Sequence, residues 1–140
     1  MTAFIIGLTA SILSILLLLF LKRSDKIIVY GIVLAGIGFL YIGYTWTNIN
    51  IAIVSGMQAL FFITLAWFGI KKDLGFLVAG YFLHGLWDLV YDLFGNRGLL
   101  PPHYDLFCST YDFVVAIYLW ILRNQIYRNS NQTAIPQGAR

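Results

Sequence analysis

The sequence is poor in charged residues and contains no glutamate. Only 11% of its 140 residues are charged, while 60% are hydrophobic. A soluble domain usually carries about 25% charged residues, because its surface must be solvated by water. The composition therefore excludes an ordinary soluble protein and indicates that lipid surrounds most of the chain.

The sequence has a single cysteine, Cys108, so an internal disulfide is excluded. It also lacks a phosphate-binding loop, a Cys-x-x-Cys pair, zinc-finger spacing, a Gly-x-Ser-x-Gly elbow and any internal repeat. The net charge of +3 comes from basic residues at the ends of apolar segments, which is typical of topology signals. We therefore expect no cofactor and no nucleic-acid partner.

Five apolar runs stand out, each close to the roughly 20 residues that a helix needs to cross ~30 Å of hydrocarbon. Backbone groups in lipid must bond internally, so the runs predict an all-α bundle of five transmembrane helices. Basic residues follow the first run rather than precede it, which favours a membrane span over a signal peptide. The runs form a transmembrane domain over 1–123, followed by a flexible polar tail over 124–140. The five predicted spans cover about 3–21, 27–46, 51–70, 74–94 and 105–122.

The basic residues predict the orientation of these five spans. Eight of the nine fall on one side of a five-span arrangement, and only Arg97 falls on the other. Cytoplasmic loops collect Lys and Arg, so we predict a multi-pass protein of a bacterial inner membrane with its N-terminus outside and its C-terminus in the cytoplasm. The eight residues on the cytoplasmic side are Lys22, Arg23, Lys26, Lys71, Lys72, Arg123, Arg128 and Arg140.

Four of the six acidic residues, all of them Asp, lie in or beside the last two runs. An Asp in the middle of a membrane helix costs about 2.5–3.5 kcal/mol on insertion scales, so it needs a partner, water or a ligand. In the fourth run His84, Asp88 and Asp92 have i, i+4, i+8 spacing, which places them on one helix face. Asp105 and Asp112 likewise share one face of the fifth run.

The last two runs are antiparallel and joined by a short loop, so their polar faces should meet at a similar depth. We predict an outward-facing intramembrane pocket whose catalytic residues are His84, Asp88 and Asp112. Tyr41 and Tyr44 of the second run reach a similar depth. The residues predicted to bind a substrate there are Gln58, Trp87, Tyr91, Asp92, Tyr104, Asp105, Cys108 and Tyr111.

Each of these assignments has a structural alternative. His84, Asp88 and Asp112 could form a polar clasp that only holds helices together. Asp92 and Asp105, near the outer loop, could simply be solvated at the interface. His103 in its Pro-rich turn could be a surface residue, and Cys108 could pack as a small apolar residue.

Two resemblances bear on these residues. The stretch His84-Gly85-Leu86-Trp87-Asp88, followed by Pro102-His103-Tyr104 and Phe107-Cys108-Ser109-Thr110-Tyr111-Asp112, resembles a family of small uncharacterised bacterial integral membrane proteins. The members of that family look similar in containing a His-x-x-Trp-Asp element and a Tyr-x-x-Phe-Cys…Asp element. The resemblance implies a functional site at these residues but no particular reaction. The His84 and Asp88 spacing is also similar to that in emopamil-binding-type sterol isomerases and membrane terpene cyclases, whose helix bundles hold acidic and His residues in a lipid-accessible cavity.

Three functions remain open from the sequence. The first is an isomerase- or cyclase-type enzyme that acts on an apolar lipid or isoprenoid, with Asp88 or Asp112 as general acid and His84 relaying the proton. The second is a proton- or cation-coupled transporter or ion-binding protein, in which His84, Asp88, Asp112 and Cys108 could also hold a metal ion. The third is a non-catalytic subunit of a membrane complex. The expected partners are the bilayer, an apolar small molecule, and a second copy or a larger complex.

Small residues mark the faces on which the first two helices should pack closely. Such stripes serve either contacts within one chain or dimerisation, and we favour contacts within the chain. The stripe of the first run is Gly7, Ser11 and Ser14, and that of the second run is Gly31, Ala35 and Gly38.

Overall fold

The computed structural model is all-helical, as the composition predicted, and it describes residues 1–94 and 101–133. Its five helices are α1 (Thr2–Leu18), α2 (Arg23–Thr45), α3 (Ile49–Lys71), α4 (Gly75–Phe94) and α5 (Tyr104–Thr133). Three of them, α2, α3 and α5, are long and apolar enough to cross a membrane. The apolar α1 has 17 residues, and α4 is a continuous helix of 20 residues that carries His84 and Asp88. Arg97, Arg140 and the side chain of Asp92, on which some predictions rest, lie outside the described residues.

Polar residues between the helices fix where the helices begin. The side chain of Asn48 caps α3 by accepting a hydrogen bond from the Ile51 N–H at 3.4 Å. Asp73 Oδ1 accepts the N–H of Gly75 at 2.8 Å, where α4 begins. His103, with a φ of 64°, is exposed immediately before α5, as expected for a residue of the turn.

The central helix is α4, which packs against α5, α3 and α2, whereas α1 packs on α5. Leu77, Tyr81, His84 and Asp88 share the inner face of α4 and are fully buried. The first half of this face joins the apolar core, and the Tyr81 hydroxyl donates to the Tyr30 carbonyl at 2.8 Å. The core is made of Tyr30, Leu34, Phe62, Ala66, Leu74, Leu77, Tyr81, Val115, Ala116 and Leu119. His84 and Asp88 therefore continue a core stripe of α4 instead of facing the outside of the bundle.

The small-residue stripe of α1 packs within the chain, on α5. Gly7 and Ser11 are buried, and a Cβ atom at Gly7 would lie only 2.6 Å from the Phe107 carbonyl oxygen. One turn further along α1, the Ser14 hydroxyl is 3.0 Å from the Tyr111 hydroxyl. The stripe of α2 packs on α3 in the same way, since a Cβ at Gly31 would meet Ile70.

The fifth helix continues to Thr133 and so extends past 122, where the sequence predicted the end of the last apolar run. Residues 124–133 include no proline or glycine, so their polarity does not end the helix. Asp73 also holds this part of α5 in place. It accepts a hydrogen bond from Arg123 Nε at 3.0 Å and one from the Tyr127 hydroxyl at 2.7 Å. Residues 134–140 lie outside the described residues.

The contacts of Asp73 predict a pH-dependent attachment of the end of α5. The Tyr127 hydroxyl, together with the Gly75 N–H and the Arg123 guanidinium, holds the pKa of the Asp73 carboxyl below its usual value. The stabilisation is therefore present at neutral pH and is lost as the pH falls through the lowered pKa. We expect faster amide hydrogen exchange over 124–131 in Asp73→Asn than in wild type at neutral pH, and little difference in strong acid.

The matched control is Asp25→Asn, because Asp25 is exposed and its carboxylate contacts only the neighbouring Ser24 hydroxyl at 3.2 Å among the described side-chain hydrogen bonds. Exchange over 124–131 should be unchanged in this variant. Equal exchange rates in wild type and Asp73→Asn at neutral pH would show that Asp73 does not hold α5.

Candidate functional site

The imidazole of His84 joins α4 to α5 inside the bundle. Its Nδ1 lies 2.8 Å from Asp112 Oδ2 and 3.4 Å from Asp88 Oδ2. The side chains of His84 and Asp88 are 0% exposed and that of Asp112 is 1% exposed. The three side chains thus meet as their spacing predicted, but they are enclosed within the protein and do not line an open pocket.

A tyrosine of α2 extends this group toward the beginning of α5. The Tyr41 hydroxyl lies 2.7 Å from Asp88 Oδ1 and 2.8 Å from Asp105 Oδ1. Asp105 is in the first turn of α5, where the partial positive charge of the helix N-terminus favours a carboxylate. We call Tyr41, His84, Asp88, Asp105 and Asp112 the Asp–His cluster.

The other edge of the His84 ring faces α3. The Nε2 atoms of Gln58 and His84 are 3.4 Å apart, and the Phe62 ring lies against the imidazole with 4.7 Å between centroids. If Nδ1–H donates to Asp112, Nε2 of the neutral imidazole carries a lone pair that the Gln58 amide N–H faces. The two ring nitrogens of His84 therefore have different environments, a carboxylate on one side and an amide on the other.

Two carboxyl groups share the single imidazole of the cluster. Asp88 and Asp112 both form an ion pair with His84. Asp88 Oδ2 and Asp112 Oδ1 also have no hydrogen-bond partner. Buried carboxylates without cations are strongly disfavoured, so the cluster must hold protons or a cation.

Three residues of the cluster have the geometry for a divalent ion. One ligand atom from each of His84, Asp88 and Asp112 lies within 4.8 Å of the others. Imidazole and carboxylate ligands suit several divalent metals. Cys108, which the sequence offered as a further ligand, is buried but is not part of this group in the described chain.

A groove on the outer face of the bundle reaches Gln58 from the other side. It has a volume of about 430 Å³ and lies between α3 and α4. Gln58 and Trp87 are the polar members of its wall; Gln58 Oε1 and Trp87 Nε1 are buried without a hydrogen-bond partner. The full lining is Val54, Met57, Gln58, Phe61, Phe62, Leu83 and Trp87, which we call the α3–α4 groove.

The structure places the predicted aromatic residues at different distances from the cluster. Tyr91 packs on Tyr41 with ring centroids 5.1 Å apart, and Tyr104 packs on Tyr44 with centroids 5.3 Å apart. Tyr111, by contrast, faces α1, where its hydroxyl meets Ser14. Trp87 lines the α3–α4 groove together with Gln58, and Gln58 contacts His84. Their predicted role in substrate binding stays a prediction.

Two assignments change in the structure, and one residue was missing from the predicted site. Asp105 is 8% exposed and bonded to Tyr41, so the alternative of a solvated interfacial carboxylate is wrong. Phe62, which packs on His84, was not predicted because an apolar residue in an apolar helix gives no signal. Tyr41 was expected only at a similar depth; its bridging position depends on the rotation of α2, which the sequence does not fix.

The fold and the site define a class: an all-helical protein with membrane-length apolar helices and an enclosed Asp–His cluster. Residues 2–125 match the model of DUF6010, a family of unknown function, and the chain belongs to this family. No curated protein and no solved structure matches the chain. The match agrees with the predicted resemblance to an uncharacterised family. It does not confirm the predicted likeness to isomerases or cyclases.

The bridging tyrosine gives a stability prediction. Tyr41→Phe removes the hydroxyl that contacts both Asp88 and Asp105 and should lower the free energy of unfolding in detergent by about 1–3 kcal/mol. Tyr44→Phe, one turn along the same helix, is the control and should change it by less than about 0.5 kcal/mol. Equal unfolding midpoints for Tyr41→Phe and wild type would mean that the contacts of this hydroxyl with the two carboxyl groups do not stabilise the fold.

Proposed function

We propose that this protein crosses the cell membrane five times, with its N-terminus outside, and catalyses proton transfer on an apolar molecule that it takes from the lipid. The distribution of the Lys and Arg residues supports the topology. The length and apolar character of α2, α3 and α5 support the membrane setting. The shorter α1 packs on α5, and α4 packs on α5, α3 and α2. These contacts would keep both helices in the same bundle.

The position of His84 between Asp112 and Gln58 is the observation that carries the proposed chemistry. Asp112 accepts the Nδ1–H, which selects the tautomer with a lone pair on Nε2. The Gln58 amide N–H faces this lone pair and must turn away before Nε2 takes up a proton. The same carboxylate stabilises the imidazolium that forms when Nε2 takes up a proton. Because Gln58 also lines the α3–α4 groove, Nε2 is the cluster atom nearest to a route from the lipid.

Asp88, Tyr41 and Asp105 would hold a proton beside the imidazole. A tyrosine hydroxyl has one hydrogen to donate, yet the Tyr41 oxygen lies within hydrogen-bond distance of both carboxyl groups. Both contacts are hydrogen bonds only if one carboxyl is protonated and donates to the phenol oxygen. Asp88 Oδ2 lies 3.4 Å from His84 Nδ1, which already carries the proton that it donates to Asp112. The proton held between Tyr41 and the two carboxyl groups therefore does not enter the ring at Nδ1; it reduces the negative charge beside the imidazole.

These roles differ from those predicted by the sequence alone. Spacing assigned the general acid to Asp88 or Asp112 and the relay to His84. In the structure the two carboxyl groups lie on the Nδ1 side of the ring, away from Gln58 and the groove. We therefore assign the acid–base role to His84 Nε2, and we make Asp112 the residue that positions and stabilises the imidazole.

Solvent deuterium tests this function without knowledge of the substrate. The purified protein is placed in liposomes made from the lipid extract of its native membranes, suspended in D₂O. We expect mass spectrometry to detect carbon-bound deuterium in one apolar component. His84→Gln and Asp112→Asn should slow the incorporation at least about 100-fold, because acid–base catalysis typically contributes ~10²–10⁴ in rate.

The control is Asp25→Asn, which removes an exposed carboxyl outside the cluster and should leave incorporation unchanged. All variants are compared at equal amounts of folded protein, which separates catalysis from a polar clasp. Wild-type protein that incorporates no deuterium, or His84→Gln that incorporates it at the wild-type rate, would contradict the proposed function.

Cation binding is a second candidate, favoured by the unbalanced carboxyl groups and by the three ligand atoms within 4.8 Å of one another. Under this function, equilibrium dialysis should show one Mn²⁺ bound per chain. Asp88→Asn and Asp112→Asn should abolish the binding, whereas Asp105→Asn, outside the ligand group, should retain it. Wild-type protein that binds no Mn²⁺, or variants that bind it equally well, would exclude this candidate.

A further inference from the structure

The α3–α4 groove opens on the outside of the bundle, where its apolar wall is exposed. Met57 of α3 is 59% exposed, Phe61 49% and Leu83 of α4 40%. These side chains would face acyl chains if α3 and α4 lie in a membrane. The volume of about 430 Å³ is within the ~300–1,000 Å³ of small-molecule sites. A molecule dissolved in the lipid could therefore enter sideways, without passing through water.

Two polar atoms at the apolar wall lack partners. Gln58 is 6% exposed, and its Oε1 accepts no hydrogen bond. Trp87 lies one turn along α4 from His84, and its Nε1–H donates none. Buried polar groups in proteins are almost always paired, so two orphans on one apolar groove indicate that a ligand pairs with them.

The contact with His84 explains why the oxygen of Gln58 is the orphan. With the Nδ1–H of His84 directed at Asp112, the Nε2 lone pair of the imidazole accepts from the Gln58 amide N–H. This orientation leaves Oε1 to accept from another donor. The groove thus offers one acceptor, Gln58 Oε1, and one donor, Trp87 Nε1–H.

We propose that the α3–α4 groove binds a lipid-soluble molecule with one hydroxyl group, whose O–H donates to Gln58 Oε1 and whose oxygen accepts from Trp87 Nε1–H. The inference rests on the proposed function, since it names the class of substrate: a lipophilic alcohol. A ketone or an ether would satisfy the indole only, because it has no proton to donate. A carboxylate or an amine would bring a charge into a groove whose lining has no charged residue.

The hydroxyl would also set the position of the substrate. Gln58 contacts His84 Nε2, so a molecule held by Gln58 has its polar end within a few ångströms of the proposed acid–base atom. Its apolar part would lie along Val54, Met57, Phe61 and Leu83. The part of the substrate next to the hydroxyl then lies nearest to His84 Nε2, and proton transfer there requires a carbon–carbon double bond in that part, which takes up the proton.

The indole N–H of Trp87 is a direct reporter of binding. The chain has four tryptophans, so protein labelled with ¹⁵N-tryptophan in lipid nanodiscs gives few indole signals. We expect dodecanol to shift the Trp87 signal downfield, because a hydrogen bond to the indole forms. Trp67 is 60% exposed and lies on α3 outside the groove. Its signal is the internal control and should not move.

Three matched probes separate the two hydrogen bonds: dodecanol, methyl dodecyl ether and dodecane. The alcohol should bind more tightly than the ether, and the ether more tightly than the alkane, with roughly two- to tenfold per hydrogen bond. Trp87→Phe should abolish the preference for ether over alkane. Gln58→Leu should abolish the preference for alcohol over ether. Met57→Leu, an apolar exchange in the same wall, should change neither preference.

The indole signals of Trp67 and Trp120 show whether each variant is folded, and Trp87→Phe serves alone if Gln58→Leu does not fold. Equal affinities of the three probes for wild-type protein, or a Trp87 signal that dodecanol does not move, would overturn the assignment of the groove.

Two measurements on the wild-type protein keep the groove assignment apart from the proposed function: the preference for the alcohol and the transfer of deuterium. If the wild type transfers deuterium but does not prefer the alcohol, the groove assignment fails and the proposed function stands. If it prefers the alcohol but transfers no deuterium, the groove assignment stands and the proton-transfer function fails.

Discussion

The contact between His84 and Asp112 is the interaction on which the arrangement of α4 and α5 depends. Both side chains are enclosed, so each can be buried only because the other is present. A helix rotates by about 100° per residue. Turning α4 or α5 by a single residue would therefore remove this contact and turn a carboxyl or an imidazole toward the outside of the bundle. The pair thus fixes the rotation of two helices that apolar packing alone would leave free to slide.

A clasp that only holds helices should satisfy its own polar atoms, and this cluster does not. Asp88 Oδ2, Asp112 Oδ1 and Gln58 Oε1 all lack a hydrogen-bond partner. Replacing such a network with apolar residues is often neutral or stabilising, so stability alone gives little reason to keep it. Unpaired oxygens near both edges of one imidazole can instead accept a hydrogen bond from a donor or bind a cation. This favours a chemical role over a structural one.

The sequence predicted the cluster to the extent that spacing within one helix determines it. The i, i+4 spacing places His84 and Asp88 on one face of α4, and a face with two such residues must turn inward in a membrane. The partner from α2 could not be predicted in the same way, because a tyrosine near a helix end suits the interface as well as the core. Hydropathy also missed the last turns of α5. It measures the fit to lipid, whereas Asp73 holds these turns by contacts outside the apolar region.

The cluster has two distinct sides, and this division gives the proposed chemistry its direction. Asp105 lies in the first turn of α5, at the end of the helix that the sequence predicts to face outward, so Tyr41 and Asp88 form a chain from that end to His84. On the opposite edge of the imidazole, Gln58 leads to the α3–α4 groove. On our proposal, the first side holds a proton that reduces the negative charge beside the imidazole, and the substrate arrives from the lipid along the second. The reacting carbon then never meets water, which prevents side reactions.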